Sequence, residues 1–279
     1  MLTKAIDFKV KKLVDSLFVW NYKTAFRWRG LEFSDFKVYE ESDDPRFIDF
    51  IASEKEWKLL VKKYIEEREL KVYFLLDISD SMDFWIWDKK KIDSLQEAFY
   101  ILAYTASLNN DLFWAIIYDE YKYDIIKPSK WKKQILKILK KIQDKNLSFN
   151  KTSDFNINKL LAFLKVKNSL IFNLTDDIWG LDKKDLKMLG LKNDFIYINI
   201  FDSFENNLSQ EKLVYKFGNT FKKLFVNLRD FKKVNEYREL RTKKINNFKK
   251  LLKSYNIDYI LLDNKKNIGL ELLRFFKTR

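Results

Sequence analysis

Residues Lys71–Met82, KVYFLLDISDSM, constrain this chain more than any other stretch. Val72 to Leu76 is an unbroken apolar run, which fits a strand buried on both faces, as in a parallel sheet covered by helices. The run then breaks into a polar loop with Asp77, Ser79 and Ser81 at alternate positions. Open α/β sheets take their ligands outside the carboxyl ends of the strands, where this loop would stand. One carboxylate and two hydroxyls can present several oxygens to one point. A hard cation such as Mg²⁺ prefers that, in near-octahedral geometry at ~2.1 Å. The same serines also suit the cap of a following helix.

Composition narrows the chemistry. The 279 residues are 47% hydrophobic and 34% charged, enough for one large domain or two small ones. No apolar run approaches the ~18 residues of a membrane span and no leader is evident, so a soluble, cytoplasmic protein is expected. Cysteine is absent, which excludes disulfides. Histidine is absent too. That removes Ser-His-Asp and Cys-His catalysis and the usual zinc sites, and leaves oxygen as the ligand for any metal. The net charge of +14 is concentrated late: residues 203–279 carry 19 Lys and Arg against 8 Asp and Glu. Such a basic third suits nucleic acid or an anionic membrane surface, and AT-rich codon usage would produce it as well.

Apolar spacing predicts an amphipathic helix over residues 3–19, then a stretch of interleaved aromatic and basic residues. Past the central loop, Ile92, Leu95, Phe99 and Leu102 mark a helix to about residue 108. Leu112 to Tyr118 reads as a strand, with Tyr121 to Ile126 its hairpin partner, and Pro128-Ser129 as the opening of a helix. Two further polar loops follow: Asn150 to Phe155 before a helix, and Thr175-Asp176-Asp177 after the strand Ser169 to Leu174. Phe195 to Phe201 is another buried strand. Residues 204–229 suggest a hairpin, Lys232 to Tyr255 a long basic helix, Ile257 to Leu262 a last strand and Gly269 to Phe276 a last helix.

Three segments together carry a family resemblance: GLEFSDFKVYEESDDPRFIDF, then VKKYIEEREL, then LLDISDSM. They resemble the domain-of-unknown-function-58 family, bacterial proteins with a von Willebrand factor A-like domain. Glu32, Asp43, Asp44, Arg46, Asp49, Glu67 and Arg68 match its structural signature. Ser42, Phe50, Lys37 and Lys55 depart from it, standing where Gly, Trp, Arg and Arg are usual. The resemblance implies a doubly wound, mostly parallel Rossmann-type sheet over residues 70–279, with a basic insertion around 203–254. Residues 1–69 would be a family-specific segment packed on it.

The resemblance also implies a metal-ion-dependent adhesion site. Its ligands would be Asp77, Ser79, Ser81, Ser153 and Asp176, with Thr152 the alternative to Ser153 and Asp177 the neighbour to exclude. The ion would be Mg²⁺, with Mn²⁺ or Ca²⁺ as substitutes. In such sites hydroxyls bind directly and the acids often act through water, leaving a position open for a partner's carboxylate. Phe84, Trp85 and Trp87 would form an aromatic rim beside the ion, or else pack under the first helix.

A non-enzymatic adaptor is therefore expected. Its partner would be a MoxR-type AAA+ ATPase, with other von Willebrand factor A proteins as further partners, in the cytoplasm or peripheral to the inner membrane. The chain has no phosphate-binding Gly-x-x-x-x-Gly-Lys loop of its own. Binding of nucleic acid or anionic lipid through the basic third is the alternative, and a metal-dependent hydrolase a more remote one.

Overall fold

The computed structural model describes residues 32–41, 43–65, 70–83, 89–119, 121–144, 166–177, 183–203, 214–217, 224–227 and 231–279. They fall into two compact units, one within Arg27–Glu69 and one from Leu70 to Arg279.

In the first unit, β1 (Glu32–Val38) pairs antiparallel with β2 (Leu60–Ile65). Between them a 3₁₀ turn at Pro45–Phe47 leads into α1 (Phe50–Glu56). The acidic run is a set of caps. Asp44 accepts the Arg46 backbone N–H at 3.0 Å and holds the Arg46 guanidinium at 2.6 Å. That guanidinium, by hydrogen bonding, keeps the Asp44 carboxyl down at about 2. Asp49 caps α1 by accepting from the N–H groups of Ile51 and Ala52, both at 3.0 Å, and also pairs with Lys62 at 2.8 Å. Asp43 pairs with Lys37 at 2.6 Å. The backbone of Glu32 lies in β1. Glu67 and Arg68 lie outside the described residues.

The second unit is built on six strands: β3 (Lys71–Asp77), β4 (Leu112–Tyr118), β5 (Tyr123–Ser129), β6 (Leu170–Thr175), β7 (Asp194–Phe201) and β10 (Asp258–Asp263). They lie side by side as β5-β4-β3-β6-β7-β10, all parallel except β5. Numbered by chain order within this sheet, that is 3-2-1-4-5-6, the doubly wound order whose reversal falls between β3 and β6.

The apolar runs are runs because both faces are covered. Val72, Phe74 and Leu76 of β3 face a core shared with α2 (Lys91–Leu108), α3 (Lys132–Asp144) and α6 (Ile268–Thr278). Tyr73 and Leu75 face the other core, filled by α4 (Lys183–Lys192) and α5 (Phe231–Ser254). Phe74 sits at the centre of the first core, stacked on Phe172 at 5.4 Å and edge-on to Phe99 at 5.1 Å. The long basic helix is therefore structural at its C-terminal end. Phe248 and Leu252 are buried, and the rows of lysine lie on its other faces. Within the 203–254 segment, β8 (Val214–Phe217) and β9 (Leu224–Asn227) form a small antiparallel pair. Among the described residues no helix is long and apolar enough to cross a membrane.

One sequence expectation needs correction, and one helix was not anticipated. Pro128 and Ser129 do not open a helix; they end β5, the edge strand, where a missing N–H is tolerated, and α3 starts at Lys132. Residues 50–56 are a helix that apolar spacing did not mark, because Phe50 and Ile51 are exposed and the helix is set by the Asp49 cap. The expected helix at 3–19 and the one after Asn150 lie outside the described residues.

One glycine is fixed by close approach. A Cβ on Gly190 of α4 would stand 2.2 Å from the Tyr255 carbonyl oxygen and 2.9 Å from the Ile257 side chain. Backbone cannot yield there as a flexible side chain would. Gly190→Ala should cost about 1–3 kcal/mol by overpacking, read as a lower urea midpoint at unchanged m-value. An unchanged midpoint would show that α4 and the turn after α5 can part freely.

Candidate functional site

The strand register places the site. Asp77 ends β3 opposite Tyr118 of β4, and Leu76 pairs with Leu174, so Thr175 is the next residue along β6. Thr175 in turn pairs with Asn199 of β7. The ends of β3, β4 and β6 thus line up where the order reverses, with Asn199 beside them two residues before the end of β7.

Asp77 is buried. Its Oδ2 accepts the Thr175 hydroxyl at 2.5 Å and its Oδ1 accepts the Ser79 backbone N–H at 2.9 Å. The chain then turns through a 3₁₀ segment at Asp80–Asp83, whose Met82 plugs the first core. This turn brings the Ser79 and Ser81 hydroxyls to 3.0 Å from each other. Ser81 donates to Asp176 Oδ1 at 2.8 Å across 95 positions of sequence. The other oxygen of Asp176 accepts from Lys91 Nζ at 3.0 Å. Lys91 is the first residue of α2, and its side chain and that of Asp176 are 4% and 7% exposed.

Asp177 takes a different part. Its backbone N–H donates to the Thr175 hydroxyl at 3.0 Å, and its carbonyl accepts from the Tyr197 hydroxyl. Its backbone shapes the loop. Below the site, the Tyr118 hydroxyl donates to Asn173 at 3.1 Å.

Electrostatics follow from this crowding. Burial, together with the nearby Asp176 carboxylate, pushes Asp77 up to about 7; the hydrogen bonds from Thr175 and Ser79 oppose that rise. Burial likewise pushes the phenols of Tyr118 and Tyr197 well above their ordinary range, so both remain neutral hydrogen-bond donors.

The structure thus brings together Asp77, Ser79, Ser81 and Asp176. Thr152, Ser153, Phe84, Trp85 and Trp87 lie outside the described residues. Sequence reasoning missed Thr175, Lys91, Tyr118, Asn173 and Tyr197. Asn173 had a visible signal, a lone polar residue inside the apolar strand LIFNLT. Lys91 had none, being the last of three consecutive lysines.

Among the described residues no three His, Cys, Asp or Glu side chains converge as a metal cluster. The donors that do converge are two carboxylates and two hydroxyls, oxygen throughout, and their type suits a hard cation. No thiolate or imidazole is present to favour a softer one.

Comparison with known proteins gives the family. The family model described as "Protein of unknown function DUF58" matches residues 35–235. This chain belongs to that family. Among solved structures, the DUF58 chain is similar to an aerotolerance-related membrane protein from Bacteroides fragilis NCTC 9343 carrying multiple mutations to serines. The identity there is 12% and the TM-score 0.47, over 75% of this chain and all of the other. It is similar to the conserved hypothetical protein BatB from Bacteroides thetaiotaomicron at 12% identity and a TM-score of 0.42, over 75% and 100% of the two chains. It is also similar to the SpRpn10 VWA domain at 10% identity and a TM-score of 0.45, over 75% and 95%. Comparison with curated proteins gives no match. The six-stranded sheet, with its antiparallel edge and helices on both faces, is the von Willebrand factor A-like, Rossmann-type architecture expected of the family.

Proposed function

We propose that this DUF58 protein is a non-enzymatic interaction module that recognises a partner's acidic side chain through a bound Mg²⁺. The observation that carries the reading is the 2.8 Å contact of Ser81 with Asp176, which joins two strand-end loops into one oxygen-lined cleft at the sheet's switch point. Ser79 and Ser81 would offer hydroxyls to the ion, and Asp77 and Asp176 its charge balance. Ser153 or Thr152 would come from the loop before residue 155. When bound, the ion supplies an electrophilic coordination position for a partner carboxylate. The chain's own residues hold that position: Thr175 fixes Asp77, and Tyr197 and the Asp177 backbone fix the Asp176 loop. With no histidine in the chain, Ser-His and Cys-His turnover is closed to these groups, and recognition suits them better.

The partner proposed is a MoxR-type AAA+ ATPase, with other von Willebrand factor A proteins as further candidates. That choice rests on the family resemblance alone. Pull-down of the ATPase with Mg²⁺, with chelator, and with Asp77→Ala tests it. Recovery should fall at least tenfold in the last two arms, the loss expected when a charge-assisted contact is removed. Equal recovery in all three would remove the cleft from the mechanism.

A second reading has its own observation: Lys243, Lys244, Lys249, Lys250 and Lys253 of α5 are exposed. Binding of DNA or anionic vesicles that is lost with salt and indifferent to chelator would favour it.

A further inference from the structure

Three lysines in a row, Lys89, Lys90 and Lys91, precede and open α2, and they do not share one fate. Lys89 pairs with Glu97 at 2.6 Å and Lys90 with Asp83 at 3.7 Å, both with side chains partly in solvent. Lys91 turns inward, and its side chain is 4% exposed. Three features make this placement unfavourable for an ammonium group. It is desolvated. It stands in the first turn of a helix, where the macrodipole disfavours positive charge. Lysine is also a strongly hydrated point charge on a stem that could carry it out to water. It stays inside because it meets Asp176, whose two oxygens are both engaged by donors of this chain, Ser81 on Oδ1 and Lys91 on Oδ2.

We infer that Lys91 is a resident cation of the cleft, supplying with its ammonium part of the positive charge that a divalent ion would bring, and that metal and Lys91 compete for the Asp176 carboxylate. The inference rests on the magnesium reading above and adds its regulation. A cleft already holding one positive charge binds a second, doubly charged ion weakly. Occupancy then depends on the lysine giving way, and a partner carboxylate that arrives with the ion supplies the charge that favours the exchange. The cleft is thereby a weak metal site on its own and a stronger one in the complex.

The test is metal affinity of the full chain, by calorimetry with Mg²⁺ and by paramagnetic resonance with Mn²⁺, for wild type, Lys91→Met, Lys91→Arg and Asp77→Ala. Lys91→Met removes the charge and keeps the stem; its metal affinity should rise at least about tenfold, because a charge at a buried, weakly screened position is lost. Lys91→Arg keeps the charge and should stay close to wild type. Equal affinity of wild type and Lys91→Met, both abolished by Asp77→Ala, overturns the competition and leaves the metal site standing. Absence of binding in every variant, or binding that survives Asp77→Ala, overturns the magnesium reading and the competition with it. A second measurement needs no variant. Acetylation of Lys91 in the wild-type protein, followed by mass spectrometry with exposed Lys243 as the internal reference, should quicken several-fold on adding Mg²⁺. An unchanged Lys91 rate at saturating metal overturns the exchange.

Discussion

Asp176→Ala should cost the metal-free protein about 3–5 kcal/mol of unfolding free energy, a large effect for a polar residue at a loop. The magnitude is that of breaking a buried pair from one side, which strands a desolvated charge. The pair qualifies: 3.0 Å between Lys91 Nζ and Asp176 Oδ2, with both side chains nine-tenths or more buried. Urea unfolding at pH 7 in chelator measures it. The double variant Asp176→Ala/Lys91→Met should recover most of the loss, since it removes the stranded charge as well. A single-variant loss below about 1 kcal/mol would place the pair with exposed ion pairs and contradict its burial.

The second large effect is a pH dependence carried by Asp77. Its folded-state carboxyl lies up at about 7, above its ordinary value of 3.8. The fold therefore holds a proton there that the unfolded chain has released, and this group's contribution is fully present below pH 4. It is lost as pH rises through 7, amounting to on the order of 4 kcal/mol at 1.36 kcal/mol per unit. The difference in stability between wild type and Asp77→Asn isolates it from the other titrating groups. Wild type should lose stability relative to the variant between pH 4 and pH 8 in chelator. Mg²⁺ should restore wild type, and not Asp77→Asn, at pH 8, because a cation favours the ionised carboxylate. Parallel pH profiles for the two proteins would mean that Asp77 is ionised throughout and that Thr175 and Ser79 suffice to hold it so.

Much of the fold was legible because the sheet is buried twice over. A strand with helices on both faces leaves unbroken apolar runs, and Val72–Leu76, Phe195–Phe201 and Ile257–Leu262 all fall within a residue or so of observed strands. The α5 stripe was legible for the same reason, with Ile245, Phe248, Leu252 and Tyr255 at helical spacing on its covered side. The first unit was less so. Its structure rests on local caps at Asp44 and Asp49, and a cap reads in sequence as a polar loop.

The site divides along the same line. Polar letters directly after an apolar run marked Asp77, Ser79 and Ser81, and the family resemblance picked Asp176 from the loop after Leu174. What no single stretch reveals is who meets whom. Thr175 read as the first residue of a loop, and it proves to end β6 and grip Asp77 from 98 positions away. Lys91, the last of three consecutive lysines, lies inside, 85 positions from its carboxylate. Such meetings are decided by strand order and register, which periodicity does not encode.

Tyr197 joins two parts of the molecule that chain order keeps apart. Its hydroxyl holds the carbonyl of Asp177 at the mouth of the cleft, while its ring lies edge-on to Phe248 of the long basic helix at 5.1 Å and stacks on Tyr259 at 6.1 Å. A single rigid phenol thus serves as a common strut. A tilt of the loop that keeps this hydrogen bond presses the ring against the helix, which ties the acidic loop to the root of the lysine-rich arm.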